Sequence, residues 1–277
     1  DTRLAEDYLR ALRFFRFQAR YGRGQADPAA VAAIRRAVPG LARLSVERVW
    51  MELKRILAVP DPLAAVTLMA ETGVLGAVLQ ARFDLAEFRR LERFAPAPDP
   101  WPRLVALLPG RDAPPATARR LKASHEEHRI LDLLAMDVSN ARASRGTPLM
   151  PPHDAAEGEA AWVLSGAERM FADTTLLRRF ADWSLTLQDF GRDGVDADLW
   201  SRARAHAATM PLPQFPLSGA DLAASGIAPG PQMGALLNAL RLWWRQGGCT
   251  ATQEDCLAEL HRRLGEKAGV SHRRGAP

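Results

Sequence analysis

The chain has 277 residues, 47% of them hydrophobic and 25% charged, which is typical of a folded globular protein. Its net charge of +5 and pI near 9.8 permit an anionic partner without requiring one. The sequence contains neither a signal peptide nor an apolar run of about 18 residues, so nothing in it suggests export or membrane insertion. Only three of the 37 basic residues are lysine, but a GC-rich coding sequence gives the same bias, so the arginine content alone does not indicate RNA binding.

The first predicted helix carries the most informative pattern of charge. Asp7, Arg10, Arg13 and Arg16 follow one another at steps of three, which places them on one ridge of a helix. One interpretation is that Glu6–Arg10 and Asp7–Arg10 are surface ion pairs, each contributing about 0.2–0.5 kcal/mol. Three neighbouring arginines repel one another unless an anion lies among them, however, and this favours a ridge that binds an anion.

A second cluster of charge lies on the helix that Ser45 is predicted to cap. Its apolar positions recur at helical spacing and predict one buried face. Arg48–Glu52 is an i,i+4 pair and Glu52–Arg55 an i,i+3 pair. These residues are either surface pairs or a support for the first helix, and their spacing does not separate the two.

Nearly every segment between proline and glycine breaks has helical periodicity, and the alternation typical of strands is almost absent. We therefore predict an all-α protein without a substantial sheet. The proline-rich segments 94–102 and 210–216 are predicted linkers. Residues 103–139 are predicted to form short helices, one of which runs from Ala116 to about Met136, and residues 144–160 are predicted to form an exposed loop.

Three patterns resemble metal sites but are predicted not to bind a metal. Asp196-Ala197-Asp198 leads into a helix, where residues i and i+2 do not share a face. His153-Asp154 lies among prolines without partner histidines, and His125 and His128 are typical of a solvated helix face. Cysteines 249 and 256 have no His or additional Cys near them at metal-ligand spacing, so we predict reduced packing residues in a cytoplasmic protein.

The residues Glu6-Asp7-Tyr8-Leu9-Arg10 resemble the E-D-x-x-R motif of class II tRNA nucleotidyltransferases (CCA-adding enzymes) and bacterial poly(A) polymerases. The continuation through Arg13, Arg16 and Gly22 is similar to the same family, and so is the later segment 44–54. Residues 1–80 carry the resemblance well and residues 212–265 more loosely. Tyr8 is a departure, since family members often have proline there.

This resemblance implies that Asp7 and Arg10 read the base of the incoming nucleotide. Cytosine and adenine each present an amine donor beside a ring-nitrogen acceptor, which suits a carboxylate and a guanidinium. Arg13 and Arg16 are then expected to line the nucleotide pocket and to reach phosphate oxygens. The resemblance also implies supporting roles, which fall to four residues: Glu6, Glu47, Arg48 and Glu52.

A candidate RNA contact lies further along, at the turn Gly230-Pro231-Gln232 before a predicted helix. Free amides at that helix start are suited to an RNA phosphate, whereas a tight turn between two helices requires the same small residues. The resemblance supports the first interpretation, and the residues alone leave both open.

By resemblance, the intact enzyme adds CCA to tRNA 3′ ends from CTP and ATP with Mg²⁺. We expect a neck at residues 1–95, a helical body at 101–209 and a tRNA-binding tail at 210–277. The metal-binding D-x-D carboxylates of the family belong to a catalytic head that we expect to precede Asp1, so this chain alone is expected to be inactive. The alternatives are a poly(A) polymerase of the same family and a non-catalytic helical RNA-binding or scaffold module.

Overall fold

The computed structural model describes residues 8–22, 24–93, 98–143, 155–168, 170–191 and 197–273. These residues form fifteen α-helices and one 3-10 helix and contain no strand, which confirms the predicted all-α fold. The helices are α1 (Leu9–Tyr21), α2 (Pro28–Ala37), the 3-10 helix (Val38–Arg43), α3 (Val46–Leu57), α4 (Leu63–Glu71), α5 (Val74–Leu79), α6 (Leu85–Glu92), α7 (Pro100–Leu107), α8 (Ala113–Arg120), α9 (His125–Ala143), α10 (Ala155–Ala167), α11 (Thr174–Gly191), α12 (Ala197–Thr209), α13 (Gly219–Ala224), α14 (Pro231–Gln246) and α15 (Gln253–Arg273).

The chain divides into two compact units. The first contains residues 1–145 and 186–195, and the second contains residues 146–185 and 196–277. The first unit extends past the predicted neck boundary at residue 95 because α7 packs against α3 and α6. We predicted the neck, body and tail from the expected role of each part. The two compact units do not test those roles, so that division stays a prediction.

The helices α1 and α3 form the part of the first unit that carries the candidate site. α1 buries Leu9, Ala11, Leu12 and Phe15 and packs against α3 and α4. α3 begins where predicted, because the hydroxyl of Ser45 accepts a hydrogen bond from the Arg48 amide at 3.4 Å. Its buried face is the predicted apolar stripe, with one charged member: Val49, Trp50, Glu52, Leu53, Ile56 and Leu57.

Three local predictions were wrong at helix ends. α7 begins at Pro100 inside the predicted linker, because prolines are tolerated in a first helical turn, where the amides have no intrahelical acceptor. The predicted helix over 116–136 is broken at residues 121–124, where Lys122 has a positive φ of 53°. α10 begins at Ala155 inside the predicted loop, because Ala156 and Ala160 are buried.

Arg103 joins three parts of the first unit although its side chain is only 1% exposed. Its guanidinium makes a bidentate pair with Glu92 of α6, at 2.8 and 2.9 Å. It also donates to the carbonyls of Leu57, Val59 and Pro60 at the end of α3, at 2.7, 2.6 and 3.0 Å. A buried arginine needs such partners, and here they fix the turn that follows α3.

In the second unit, α10 packs against α12 and α14, and α13 to α15 share a separate apolar cluster around Leu240, Trp244 and Leu260. Ser218 and Asp221 form a capping box at the start of α13. Both cysteines are free, as predicted. Burial, with a smaller effect of the Asp255 charge, raises the pKa of Cys256 to about 11, which is consistent with a packing role.

We expect Arg103→Met to lower the free energy of unfolding by about 3–5 kcal/mol, because it leaves the Glu92 carboxylate and three carbonyls without their donor. The matched control is Arg111→Met at an exposed position, which should change stability by less than about 0.5 kcal/mol. Denaturant unfolding followed by circular dichroism measures both. Equal effects of the two substitutions would contradict a central role for Arg103.

Candidate nucleotide and RNA interface

The predicted ridge lies on α1, outside the residues that this helix buries, and its last member contacts α3. Arg10 and Arg13 are exposed, and Arg16 is half-buried. The helical spacing therefore does bring these three arginines to one accessible side. Glu6 and Asp7 lie outside the described residues, so the base-reading pair of Asp7 and Arg10 stays a prediction.

The start of α1 is held by a close contact between Tyr8 and Gly40 of the 3-10 helix. Gly40 is buried, and a Cβ atom at this position would overlap the ring of Tyr8. Glycine is therefore required for the tyrosine to pack here.

Arg16 forms an ion pair that joins α1 to α3. Its Nη1 atom lies 3.2 Å from Oε2 and 3.3 Å from Oε1 of Glu52, whose side chain is 4% exposed. Arg55 donates to Oε1 of the same carboxylate at 3.2 Å, which confirms the predicted i,i+3 pair. A buried carboxylate thus lies between two guanidinium groups and restricts their positions. The contact with Arg16 is the physical basis for the predicted role of Glu52 in supporting the ridge.

The other predicted supporting residues on α3 lie at the surface. Glu47 pairs with Lys122, with 2.8 Å between Oε1 and Nζ, and this hydrogen bond lowers the pKa of Glu47. Both side chains are more than half exposed, so the pair contributes little to stability. Arg48 is exposed on the same helix. The roles of these two residues toward a ligand stay predictions.

A polar cluster around Glu127 was missed by the sequence analysis. The indole of Trp50 donates to Oε2 of Glu127 at 2.9 Å, and Lys54 forms an ion pair with Oε1. The amide of Ser124 donates to the same carboxylate at 2.9 Å, at the start of α9. Burial raises the pKa of Glu127, but the hydrogen bonds from Lys54, Trp50 and Ser124 outweigh it and leave the pKa below its ordinary value. The cluster holds α3 against α9.

The predicted RNA turn lies at the start of α14 in the second unit. Gly230 is the N-cap residue with φ of 155°, Pro231 is at the first helical position, and no side chain caps the helix. Gly230, Pro231 and Gln232 are all exposed. Their accessibility agrees with both earlier interpretations, a phosphate contact and a tight turn.

Across the described ranges, no group of three or more His, Cys, Asp or Glu side chains is arranged to hold a metal ion. His153, Asp154 and Asp196 lie outside these ranges. Within them, no helix is both long and apolar enough to span a membrane.

Comparison with known proteins gives three findings. Residues 25–81 match the family model described as "Probable RNA and SrmB- binding site of polymerase A". The mitochondrial CCA tRNA nucleotidyltransferase 1 of Mus musculus is 28% identical over 272 residues, covering 93% of this chain and 56% of that protein. The CCA-adding enzyme of Bordetella bronchiseptica is 36% identical over 151 residues, covering 52% of this chain and 40% of the enzyme.

Two solved structures have the same fold. The Thermotoga maritima CCA-adding enzyme complexed with tRNA has a TM-score of 0.57 at 16% identity, over 94% of this chain and 62% of that one. A CCA-adding enzyme in complex with CTP has a TM-score of 0.59 at 16% identity, over 94% and 61%. Over more than nine tenths of its length, this chain is similar to CCA-adding enzymes in sequence and in fold. It spans just over half the length of the CCA tRNA nucleotidyltransferase from Mus musculus.

We expect Glu127→Gln to destabilise the protein by about 1–3 kcal/mol at neutral pH, because a neutral amide cannot form an ion pair with Lys54. The folded-state pKa of Glu127 is lowered, so its contribution is present above the ordinary value of 4.5 and is lost as the pH falls through the folded-state pKa. The difference between wild type and variant should therefore narrow in acid. Denaturant unfolding at several pH values measures it.

The control is Glu126→Gln, at the exposed neighbouring position, which should leave stability nearly unchanged at every pH. A Glu127→Gln effect that is independent of pH would show that the carboxylate charge does not stabilise the contact between α3 and α9.

Proposed function

We propose that this chain is the C-terminal, nucleotide-selecting and tRNA-binding part of a tRNA nucleotidyltransferase that adds CCA to tRNA 3′ ends from CTP and ATP. The observation that carries the proposal is the accessible ridge of Arg10, Arg13 and Arg16, whose last member is fixed by Glu52. The relatives named for CCA addition support the reaction class.

In this proposal each member of the ridge has one task. Asp7 accepts a hydrogen bond from the exocyclic amine of cytosine or adenine, and Arg10 donates to the neighbouring ring nitrogen. Uracil and guanine present donor and acceptor in the opposite order and are rejected. Arg13 and Arg16 contact phosphate oxygens, which carry no base identity.

In this proposal, this chain selects the nucleotide and binds tRNA, and a catalytic head binds Mg²⁺. The described residues include no metal-binding cluster, so the Mg²⁺ ligands of the reaction are assigned to that head, and this chain alone is expected to be inactive. Residues 210–277, with the exposed turn Gly230-Pro231-Gln232, are proposed to contact tRNA. A cytoplasmic location stays a prediction, because the similar enzyme of Mus musculus is named as mitochondrial.

The second candidate is poly(A) addition, because the matching family model is named for polymerase A. It uses the same ridge with ATP alone. The two functions differ in whether CTP is a substrate of the enzyme that contains this chain.

The test is base choice in a protein that carries this chain together with its catalytic head. We expect Asp7→Ala to forfeit roughly ten- to a hundredfold discrimination against UTP and GTP, or about 1–3 kcal/mol, while turnover with CTP and ATP falls less. Arg10→Ala should weaken CTP and ATP together. The measurement is kcat/KM for the four nucleoside triphosphates.

Arg13→Ala is the matched control, since loss of a phosphate contact should lower kcat/KM for all four nucleotides alike. If Asp7→Ala also lowers all four equally, Asp7 is a helix-start or ion-pair residue and does not read the base. Activity with ATP but none with CTP in the unmodified enzyme would select poly(A) addition.

A further inference from the structure

A groove beside the arginine ridge has features that the proposed nucleotide pocket does not use. It has a volume of about 860 Å³ and lies between the C-terminal half of α1 and the turn after α3. That volume is within the range of ligand sites in proteins. The groove is lined by three arginines, two aromatic residues and small or apolar residues: Arg16, Arg20, Arg55, Phe17, Tyr21, Ala58, Val59, Pro60 and Pro98.

Two aromatic side chains on this groove are unusually exposed. Phe17 is 53% exposed and Tyr21 is 65% exposed, whereas most aromatic side chains of the described residues are largely buried. They are four residues apart on α1 and therefore share a face of the helix. Their rings lie nearly parallel, with an interplanar angle of 25° and centroids 6.1 Å apart. Both rings line the groove with much of their surface accessible.

The charges around these rings favour an anionic occupant. The guanidinium of Arg16 lies 5.1 Å from the centroid of Phe17, and that of Arg20 lies 5.6 Å from the centroid of Tyr21. Among the described residues that line the groove, none has a carboxylate side chain. Glu52, which is buried behind it, pairs with Arg16 and Arg55 but not with Arg20. The groove therefore keeps a net positive charge next to an aromatic surface.

We propose that this groove binds single-stranded RNA, with unpaired bases stacking on Phe17 and Tyr21 and the backbone phosphates contacting Arg20 and Arg55. Aromatic platforms flanked by cations bind single strands in this way because every base has a π face, whereas bases inside a duplex are already stacked. A protein partner would also cover apolar rings, but it would need acidic side chains to match the arginines. The inference rests on the proposed function and adds one detail to it, which is that α1 contacts an unpaired segment of the RNA.

The experiment measures the affinity of the 277-residue chain for a fluorescein-labelled single-stranded RNA of about ten nucleotides by fluorescence anisotropy. The competitor is a duplex of the same sequence. We expect the single strand to bind more tightly than the duplex. Tyr21→Leu should weaken binding of the single strand by roughly fivefold or more, because leucine keeps apolar area but removes the stacking surface. Tyr21→Phe should bind like wild type.

Charge is tested separately. Arg20→Gln should weaken binding and reduce the dependence of log Kd on log salt by about one phosphate contact. Arg35→Gln is the matched control, because Arg35 is exposed on α2 and does not line the groove. Circular dichroism of each variant confirms that it is folded.

Three results would overturn the inference. They are no binding of the single strand at low salt, equal affinity for strand and duplex, and binding that Tyr21→Leu and Arg20→Gln leave unchanged. The proposed function fails by a different measurement, the unchanged base choice of Asp7→Ala. If Tyr21→Leu and Arg20→Gln weaken binding of the single strand, the groove binds single-stranded RNA. That conclusion would hold even if Asp7→Ala left base choice unchanged.

Discussion

The buried carboxylate of Glu52 is the interaction on which the candidate site depends. A buried charge is costly unless it is paired, and Glu52 is paired on one side by Arg16 from α1 and on the other by Arg55 from its own helix. The pairing therefore stabilises the packing of α1 on α3 and restricts both guanidinium groups. It links the arginine ridge to the aromatic groove, because Arg16 belongs to both surfaces.

The more distant parts of the first unit keep α3 itself in place. Arg103 fixes the turn after α3 through three backbone carbonyls, and that turn contributes Val59 and Pro60 to the groove. Glu127 holds the opposite side of α3 through Trp50 and Lys54. The helix that carries Glu52 is therefore fixed at its buried face, at its C-terminal end and along its contact with α9.

Local features of this fold followed from the sequence because their causes are local. Ser45 begins α3 as predicted, since a cap needs only the next three residues. The spacing of the arginines placed them on one ridge of α1 for a similarly local reason. The helix starting at Pro100 was missed because a proline-rich segment is typical of a linker, although prolines are tolerated in a first helical turn. The break at Lys122 was missed because nothing in the local sequence requires the positive φ of that residue.

The partners in the site could not be predicted in the same way. Glu52 is 36 residues from Arg16, and Glu127 is 73 residues from Lys54, so no periodicity relates them. Phe17 and Tyr21 are spaced like core residues of a helix, and only their exposure in the structure distinguishes them. The functional meaning of the ridge came from resemblance to a family motif, and the similar enzymes support that resemblance without testing individual residues.

The most direct test of this account is a double-mutant cycle on RNA affinity, using Glu52→Gln, Arg55→Ala and the combination. If Glu52 acts by orienting Arg55, Glu52→Gln weakens RNA binding severalfold, and this effect disappears when Arg55 is already alanine. If Glu52 is only a negative charge behind an anion site, its removal strengthens binding and does so in both backgrounds. Tighter binding by Glu52→Gln would contradict the claim that this buried carboxylate organises the site.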